Sequence, residues 1–265
     1  MRWIFAALLC LASISPTRAA LISLYTFDES SGSSAADSVR GAGGIGTIVG
    51  STTFVPGKIG NALSLNGSSY LTAAVVGGGL SQFSISAWVK FNTGGSWATI
   101  VKNWGESASG AFHLGLDSAG TKLSDYITSS GTTAPVVDSS NITTSQWYHV
   151  VMTYNGGAGG QQILYVNGAQ KGSAAASGTL TTTGTKMSMG AKLNDAQTGV
   201  AGSNTGWLNG ALDDVAFYNE TLSGTQVTTL YNNGLSGVGA IPEPSALSLL
   251  AVGLGLLFRP SRRKD

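Results

Sequence analysis

Apolar residues recur at every second position in short runs, and Gly, Asn, Ser and Asp fill the gaps between the runs. Phe83, Ile85, Ala87, Val89 and Phe91 alternate with Ser84, Ser86, Trp88 and Lys90. A strand over 83–91 therefore buries the first set on one face and turns Trp88 and Lys90 to the other. The same period predicts strands over 21–27, 62–65, 70–75, 99–104, 111–116 and 122–128. It continues with 147–154, a dense β-branched and aromatic run, then 162–166, 186–190 and 212–218. Asn66-Gly67 reads as a hairpin turn between two of these strands, because Asn and Gly tolerate positive φ. Asn155-Gly156 and Asn167-Gly168 follow two later strands.

One helix is expected. Ser223-Gly224-Thr225-Gln226 has the spacing of a capping box, with Ser223 at the N-cap. Val227, Leu230 and Tyr231 share the face behind it, and Gly234 closes it. Many strands at short intervals, no long helical period and no internal repeat predict an all-β sandwich with one short C-terminal helix.

The two ends carry different patterns. Arg2 precedes an apolar run over 4–12, and Thr17-Arg18-Ala19 offers small residues for cleavage, so residues 1–19 read as a secretory signal peptide. At the other end, Ile241-Pro242-Glu243-Pro244-Ser245 leads into an uncharged apolar helix over 246–258 and then Arg262-Arg263-Lys264. Thirteen helical residues cover about 20 Å, short of a bilayer core of about 30 Å. The order of these parts resembles a PEP-CTERM sorting signal over 241–265, with Pro242, Glu243 and Pro244 as its motif. That resemblance implies export in a Gram-negative bacterium, an inner-membrane stage held by the C-terminal helix, an exosortase-type enzyme as partner, and a surface or extracellular-matrix destination.

Composition narrows the rest. The lone cysteine, Cys10, lies in the signal peptide, so the remainder has no disulfide and no thiolate chemistry. Residues 21–240 hold eight Lys or Arg against eleven Asp or Glu, a net charge near −3 with no basic run. Nucleic acid is thereby excluded as a partner.

Several segments together resemble a laminin-G-like, concanavalin A-like domain. They are Tyr25-Thr-Phe-Asp-Glu29, Gly57 to Gly67, Phe83 to Lys90, Trp147 to Tyr154 with Leu164 to Gly168, and Asn209 to Tyr218 with Leu222-Ser223. The resemblance spans residues 21–233, with 234–240 as a linker, and implies a two-sheet antiparallel jelly roll. It leaves function open, because lectins, adhesins, enzyme accessory modules and some glycosidases share this fold. It also implies one structural Ca²⁺, with Asp28, Asp37 and Asp213 at the family's acidic positions and Asp214 as the alternative to Asp213. Turn-capping is the competing role for these side chains.

Trp97, Trp104 and Trp207 sit beside Gly, Ser and Asn, hence near loops, and with Asn103 and Tyr126 they form the candidate saccharide-binding set. Trp88 and Trp147 fall in the strongest strands and are expected in the core. A glycosidase needs two carboxylates about 5–10 Å apart across the bond. No Glu-x-Asp-x-Glu cluster occurs, and Asp213-Asp214 on a regular strand would face opposite ways. His113 and His149 lack any catalytic or metal-binding context, and His149 is expected to pack or to bond locally. The sequence thus predicts an exported, non-catalytic polysaccharide-binding protein. A purely structural matrix component and a hydrolase or lyase with dispersed carboxylates are the alternatives.

Overall fold

Alternation and turn chemistry fold the chain into two facing antiparallel sheets. The computed structural model describes residues 20–240 apart from 104, 106–110, 130–131 and 182–183. The strands are β1 (Leu21–Tyr25), β2 (Ser34–Ala35), β3 (Gly46–Val49), β4 (Thr53–Pro56), β5 (Asn61–Asn66), β6 (Tyr70–Ala74), β7 (Gln82–Phe91) and β8 (Thr99–Lys102). They continue as β9 (Phe112–Leu116), β10 (Lys122–Ser129), β11 (Thr132–Asn141), β12 (Trp147–Asn155), β13 (Gln161–Val166), β14 (Ala169–Ala175), β15 (Lys186–Met189) and β16 (Asn209–Tyr218). Helix α1 spans Gly224–Leu235.

Sheet A runs β14-β13-β12-β7-β16-β5-β4, with β1 joined to the second half of β16. Sheet B runs β11-β10-β9-β8-β15-β6-β3-β2. Phe83, Ile85, Ala87, Val89 and Phe91 are fully buried between the sheets, as their alternation requires. Phe112, Leu114 and Leu116 of β9 and Met187 and Met189 of β15 meet them from sheet B. Full burial of each large apolar side chain stabilises the fold by about 1.5–3 kcal/mol.

Asn66-Gly67 does not close a hairpin. β5 pairs in sheet A and β6 in sheet B, so this turn carries the chain from one layer to the other. Asn66 Oδ1 accepts hydrogen bonds from Ser68 N and Ser69 Oγ, which reverses the chain without pairing its flanks. Asn167-Gly168 does close one, between β13 and β14, with φ of 51° and 77°. Two consecutive positive φ values make this the tight turn that matches strand twist.

Helix α1 covers the outer face of sheet A. Its capping box forms as expected, Ser223 accepting from Gln226 N while the Gln226 side chain accepts from Ser223 N. Val227 packs in a second small core with Leu24, Val151, Tyr165 and Leu222. Tyr231 stacks on Trp88, ring centres 5.8 Å apart. Gly234 lies inside the helix and does not end it: a Cβ there would come within 2.5 Å of Trp88 Cζ2. Trp88 is thus buried, but beneath the helix and outside the main core. Trp147 is not a core residue; it is half-buried, with Lys90 Nζ 5.1 Å from its ring centre.

Among the described residues no helix is long and apolar enough to cross a membrane. The signal peptide, Cys10, Pro242, Glu243, Pro244 and the apolar segment 246–258 lie outside the described residues.

Candidate functional site

Among the described residues no helix lies over the outer face of sheet B. Strand register places one residue from each of several strands on this face. Thr47 pairs with Thr72, Thr72 with Ser188, Ser188 with Lys102, Lys102 with His113, and His113 with Tyr126. Directly opposed residues share a face, so these form a single row from β3 to β10. Five strand spacings make it roughly 24 Å long. The intervening residues Leu71, Met187, Leu114 and Ile127 point into the core.

Trp97 joins the row from the loop between β7 and β8. Its φ of 59° is a left-handed conformation that disfavours residues other than glycine. Neighbouring loops hold it: Trp97 N donates to Asp117 O at 3.0 Å, and Gly206 approaches so closely that a Cβ would lie 2.7 Å from Trp97 O. The ring lies 5.2 Å from Tyr126 and 5.8 Å from His113, both nearly edge-on, and Lys102 Nζ stands 5.7 Å from its centre. Trp97 and Tyr126 remain half-exposed, whereas Lys102 and His113 are buried.

A groove continues along the row. Lys102, Asn103, Ser188, Leu193, Asn194 and Asp195 line one end. Ile45, Thr47, Val49, Tyr70 and Thr72 line the other, and Lys186 and Gln197 belong to both. The segment 190–207 forms its wall. Ala191 and Leu193 anchor that segment on Tyr70, whose ring meets Trp207 edge-on at 5.9 Å.

The electrostatics are uneven. Burial, then repulsion from Lys192, push Lys102 down to about 7. Burial and the nearby Lys102 push His113 well below its usual range, so its ring is neutral. His113 Nε2 donates to Leu116 O at 3.2 Å, which leaves Nδ1 as a buried acceptor without a partner. Asn103 Oδ1 accepts from Ala111 N and Phe112 N and closes the loop after β8; its Nδ2 has no partner. Asp195 is the only carboxylate among the groove's described lining residues, so among these residues there is no carboxylate pair of the kind a glycosidase uses.

Of the expected saccharide-binding set, Trp97 and Tyr126 touch, Asn103 lines the groove beside them, and Trp207 packs on Tyr70 at the far wall. Trp104 lies outside the described residues. Sequence reasoning missed Lys102 and His113. His113 alternates with Phe112 and Leu114 and so had to face away from the core, a signal present in the chain.

The acidic positions fall into two places. Asp37 does not join Asp28 and Asp213. Its carboxylate accepts from Ser23 Oγ, Leu24 N, Val39 N, Arg40 N and Arg40 Nε, the last at 2.6 Å. Despite desolvation, these donors hold it below the usual carboxylate range, and its oxygens are committed.

Asp213 and Asp214 form a bulge where β5 gives way to β1 along β16. Asp214 has φ of 45°, which breaks the strict alternation and brings both carboxylates to the helix side of sheet A. Asp213 Oδ2 accepts from Lys58 N and Ile59 N, and Asp28 Oδ1 accepts from Asn61 N. The turn 57–60 therefore sits between Asp28 and Asp213, and glycine at 57 and 60 leaves the space a Cβ would fill. Burial, then mutual repulsion with Asp214 and Asp28, push Asp213 up to about 8; burial and Asp28 push Asp214 up to about 7. Asp213 Oδ1 and Asp214 Oδ2 are buried without partners. Orphaned carboxylate oxygens of this kind suit a calcium ion, which takes a mixed set of carboxylate and backbone oxygens. Among the described residues no three acidic side chains converge as a ready-made cage, so carbonyls would have to complete the set.

The pattern of two eight-stranded sheets with this connectivity has known counterparts. Residues 65–228 match the Laminin_G_3 family, described as the concanavalin A-like lectin/glucanases superfamily. The chain belongs to this superfamily. Its fold is similar to domain 4 of AbnA, an extracellular GH43 arabinanase from Geobacillus stearothermophilus, solved with arabinotriose. The two share 25% identity and a TM-score of 0.59 over 80% of this chain and 98% of that one. It is also similar to the binding domain of Paraclostridial Mosquitocidal Protein 1, at 17% identity and a TM-score of 0.61 over 81% of this chain. The receptor-binding domain of botulinum neurotoxin type G gives 18% and 0.57 over 80% of this chain. The chain spans about half the length of both toxin domains, 52% and 51%. A comparison with curated protein sequences finds no match.

Proposed function

We propose that this protein is a non-catalytic saccharide-binding module that holds a polysaccharide chain along the open face of sheet B. The observation that carries this is the in-register row from Thr72 to Tyr126, with Trp97 leaning on it from a loop. Partly exposed aromatic rings offer apolar area to a sugar face, while Asn103 and Lys102 in the groove lining offer donors for its hydroxyls. The row is long enough for an oligosaccharide of several units. The arabinotriose-bound AbnA domain, similar along nearly its whole length, supports the same class of ligand.

Calcium, if bound, would be held by the orphaned carboxylate oxygens of Asp213 and Asp214 on the other sheet, with backbone carbonyls completing its oxygen set and Asp28 close enough to add charge. Asp214 would take the place first given to Asp37. The ion would neutralise this acidic group and pin the turn 57–60 to the bulge of β16. It would stand apart from the groove and serve the fold.

The N-terminal signal pattern and the C-terminal sorting pattern support export and delivery to the cell surface or its matrix. Retention of the full-length protein on immobilised arabinan, xylan, pectin and alginate, compared with Trp97→Ala, tests the binding role. Retention lost in the variant supports it; no retention of either on any matrix contradicts it.

A further inference from the structure

The groove on sheet B changes character towards β3. Six large apolar side chains are exposed among the described residues, and two of them, Ile45 (52% exposed) and Val49 (39%), line one cavity of about 550 Å³. Sites for small molecules typically measure about 300–1,000 Å³, and clustered exposed apolar side chains mark binding grooves more often than scattered ones do. Register puts Val49 opposite Tyr70 and Thr47 opposite Thr72, so β3 and β6 present both pairs on the outer face. The polar groups of the wall are already committed. Gln197 Oε1 accepts from Thr185 N and Lys186 N, its Nε2 donates to Lys186 O, and Lys186 Nζ donates to Gln197 O at 3.2 Å. No carboxylate is among the described lining residues of this cavity. A ligand here meets chiefly methyl groups and the hydroxyls of Thr47 and Thr72.

This end is continuous with the aromatic end, because Lys186 and Gln197 line both parts of the groove. Thr72 and Lys102 are two strand spacings apart, roughly 10 Å, so one polysaccharide chain reaches both. A free sugar hydroxyl entering the β3 end gives up water for few partners, which is costly. An ester-capped hydroxyl has lost its donor and carries a methyl and a carbonyl acceptor. Those two groups complement aliphatic side chains and threonine hydroxyls. Resting on the saccharide-binding role above, we propose that the bound polysaccharide is O-acetylated, and that an acetyl group seats against Ile45 and Val49 with its carbonyl on Thr47 or Thr72 while another unit of the same chain lies against Trp97. Trp97 then supplies general affinity for sugar rings, and the β3 end supplies selection.

Calorimetric titration of the full-length protein tests this with acetylated xylan oligosaccharides and acetylated glucomannan oligosaccharides, each beside the same sample after alkaline deacetylation. Deacetylation removes the ester and keeps the sugar backbone. The loss of one buried methyl and one hydrogen bond makes the deacetylated form bind about four- to tenfold more weakly to wild type. The double variant Ile45→Ser, Val49→Ser binds both forms as wild type binds the deacetylated one. Both positions are exposed, so the fold tolerates the change. Trp97→Ala weakens both forms and keeps their ratio. A preference for the acetylated form in either pair, erased in the double variant, supports the proposal. Equal binding of the two forms in every pair that binds, or a preference that survives in the double variant, overturns the acetyl selection and leaves saccharide binding standing. No binding of any of the four samples overturns both.

Discussion

Lys102 Nζ stands 5.7 Å from the centre of the Trp97 ring, and the same lysine is directly opposed to His113 across β8 and β9. A loop residue in a strained conformation and two strand residues in register thus form one surface. Their convergence needs three things together: the pairing of Lys102 with His113 beyond the register shift between Thr99 and Val101, the positive φ at Trp97, and the close passage of Gly206. On sheet A, α1 covers the part of the outer face around Trp88.

Trp97→Ala is expected to weaken saccharide binding by at least about thirtyfold, the usual effect of removing a central aromatic anchor of about 2 kcal/mol or more. Tyr126→Ala acts in the same direction. Trp88→Phe, beneath the helix, changes stability and leaves binding intact. Retardation of each variant in gels cast with the polysaccharide, beside its melting temperature, separates the two effects.

Calcium at millimolar concentration is expected to raise the melting temperature of the full-length protein. An ion at a hundred times its dissociation constant adds about 2.7 kcal/mol, or roughly 5–10 °C for a domain of this size. Asp213→Asn abolishes that rise. Asp37→Asn lowers the melting temperature equally with and without calcium, since Asp37 serves Arg40 and the backbone. Scanning calorimetry with calcium and with EGTA reads both.

Asp125 lies in the core between the sheets, where Gln162 Nε2 donates to its Oδ1 at 2.9 Å. Burial outweighs that bond and pushes the carboxyl up to about 7. The folded state therefore binds this proton more tightly than the unfolded chain does. The group costs nothing below about pH 4, and stability falls as pH rises from there through about 7. Asp125→Asn keeps the acceptor and removes the charge. Its stability relative to wild type should improve by a few kcal/mol between pH 4 and pH 8, measured by urea unfolding at both.

Gly234→Ala sets two effects against each other. Helix propensity alone favours alanine by about 1 kcal/mol. The new Cβ would fall 2.5 Å from Trp88 Cζ2 and 2.6 Å from Nε1, in a packed ring stack. Overpacking of this kind costs about 1–3 kcal/mol, so net destabilisation is expected from urea unfolding.

Much of the fold was legible because core strands such as β7 and β12 alternate strongly and are bounded by turn residues. The edge strands were not. β11 carries Pro135 and polar residues, and β14 is short of apolar residues and mostly exposed, as edge strands tend to be. Asn66-Gly67 has a hairpin's residues without its pairing, and only the sheet assignment reveals the difference. The candidate site was half legible. Trp97 and Tyr126 stood out by type, but Lys102 and His113 became part of the site through register between strands, which no single segment encodes. Asp214 was hidden by the bulge, since regular alternation would have sent it to the opposite face from Asp213.

The most direct test of a saccharide-binding face on sheet B is hydrogen–deuterium exchange of the full-length protein with and without the polysaccharide that retains it best. The account predicts protection concentrated in 95–103, 112–128 and 186–207, with sheet A and α1 unchanged. Protection confined to sheet A, α1 or the turn 57–60 would place the ligand elsewhere and contradict it.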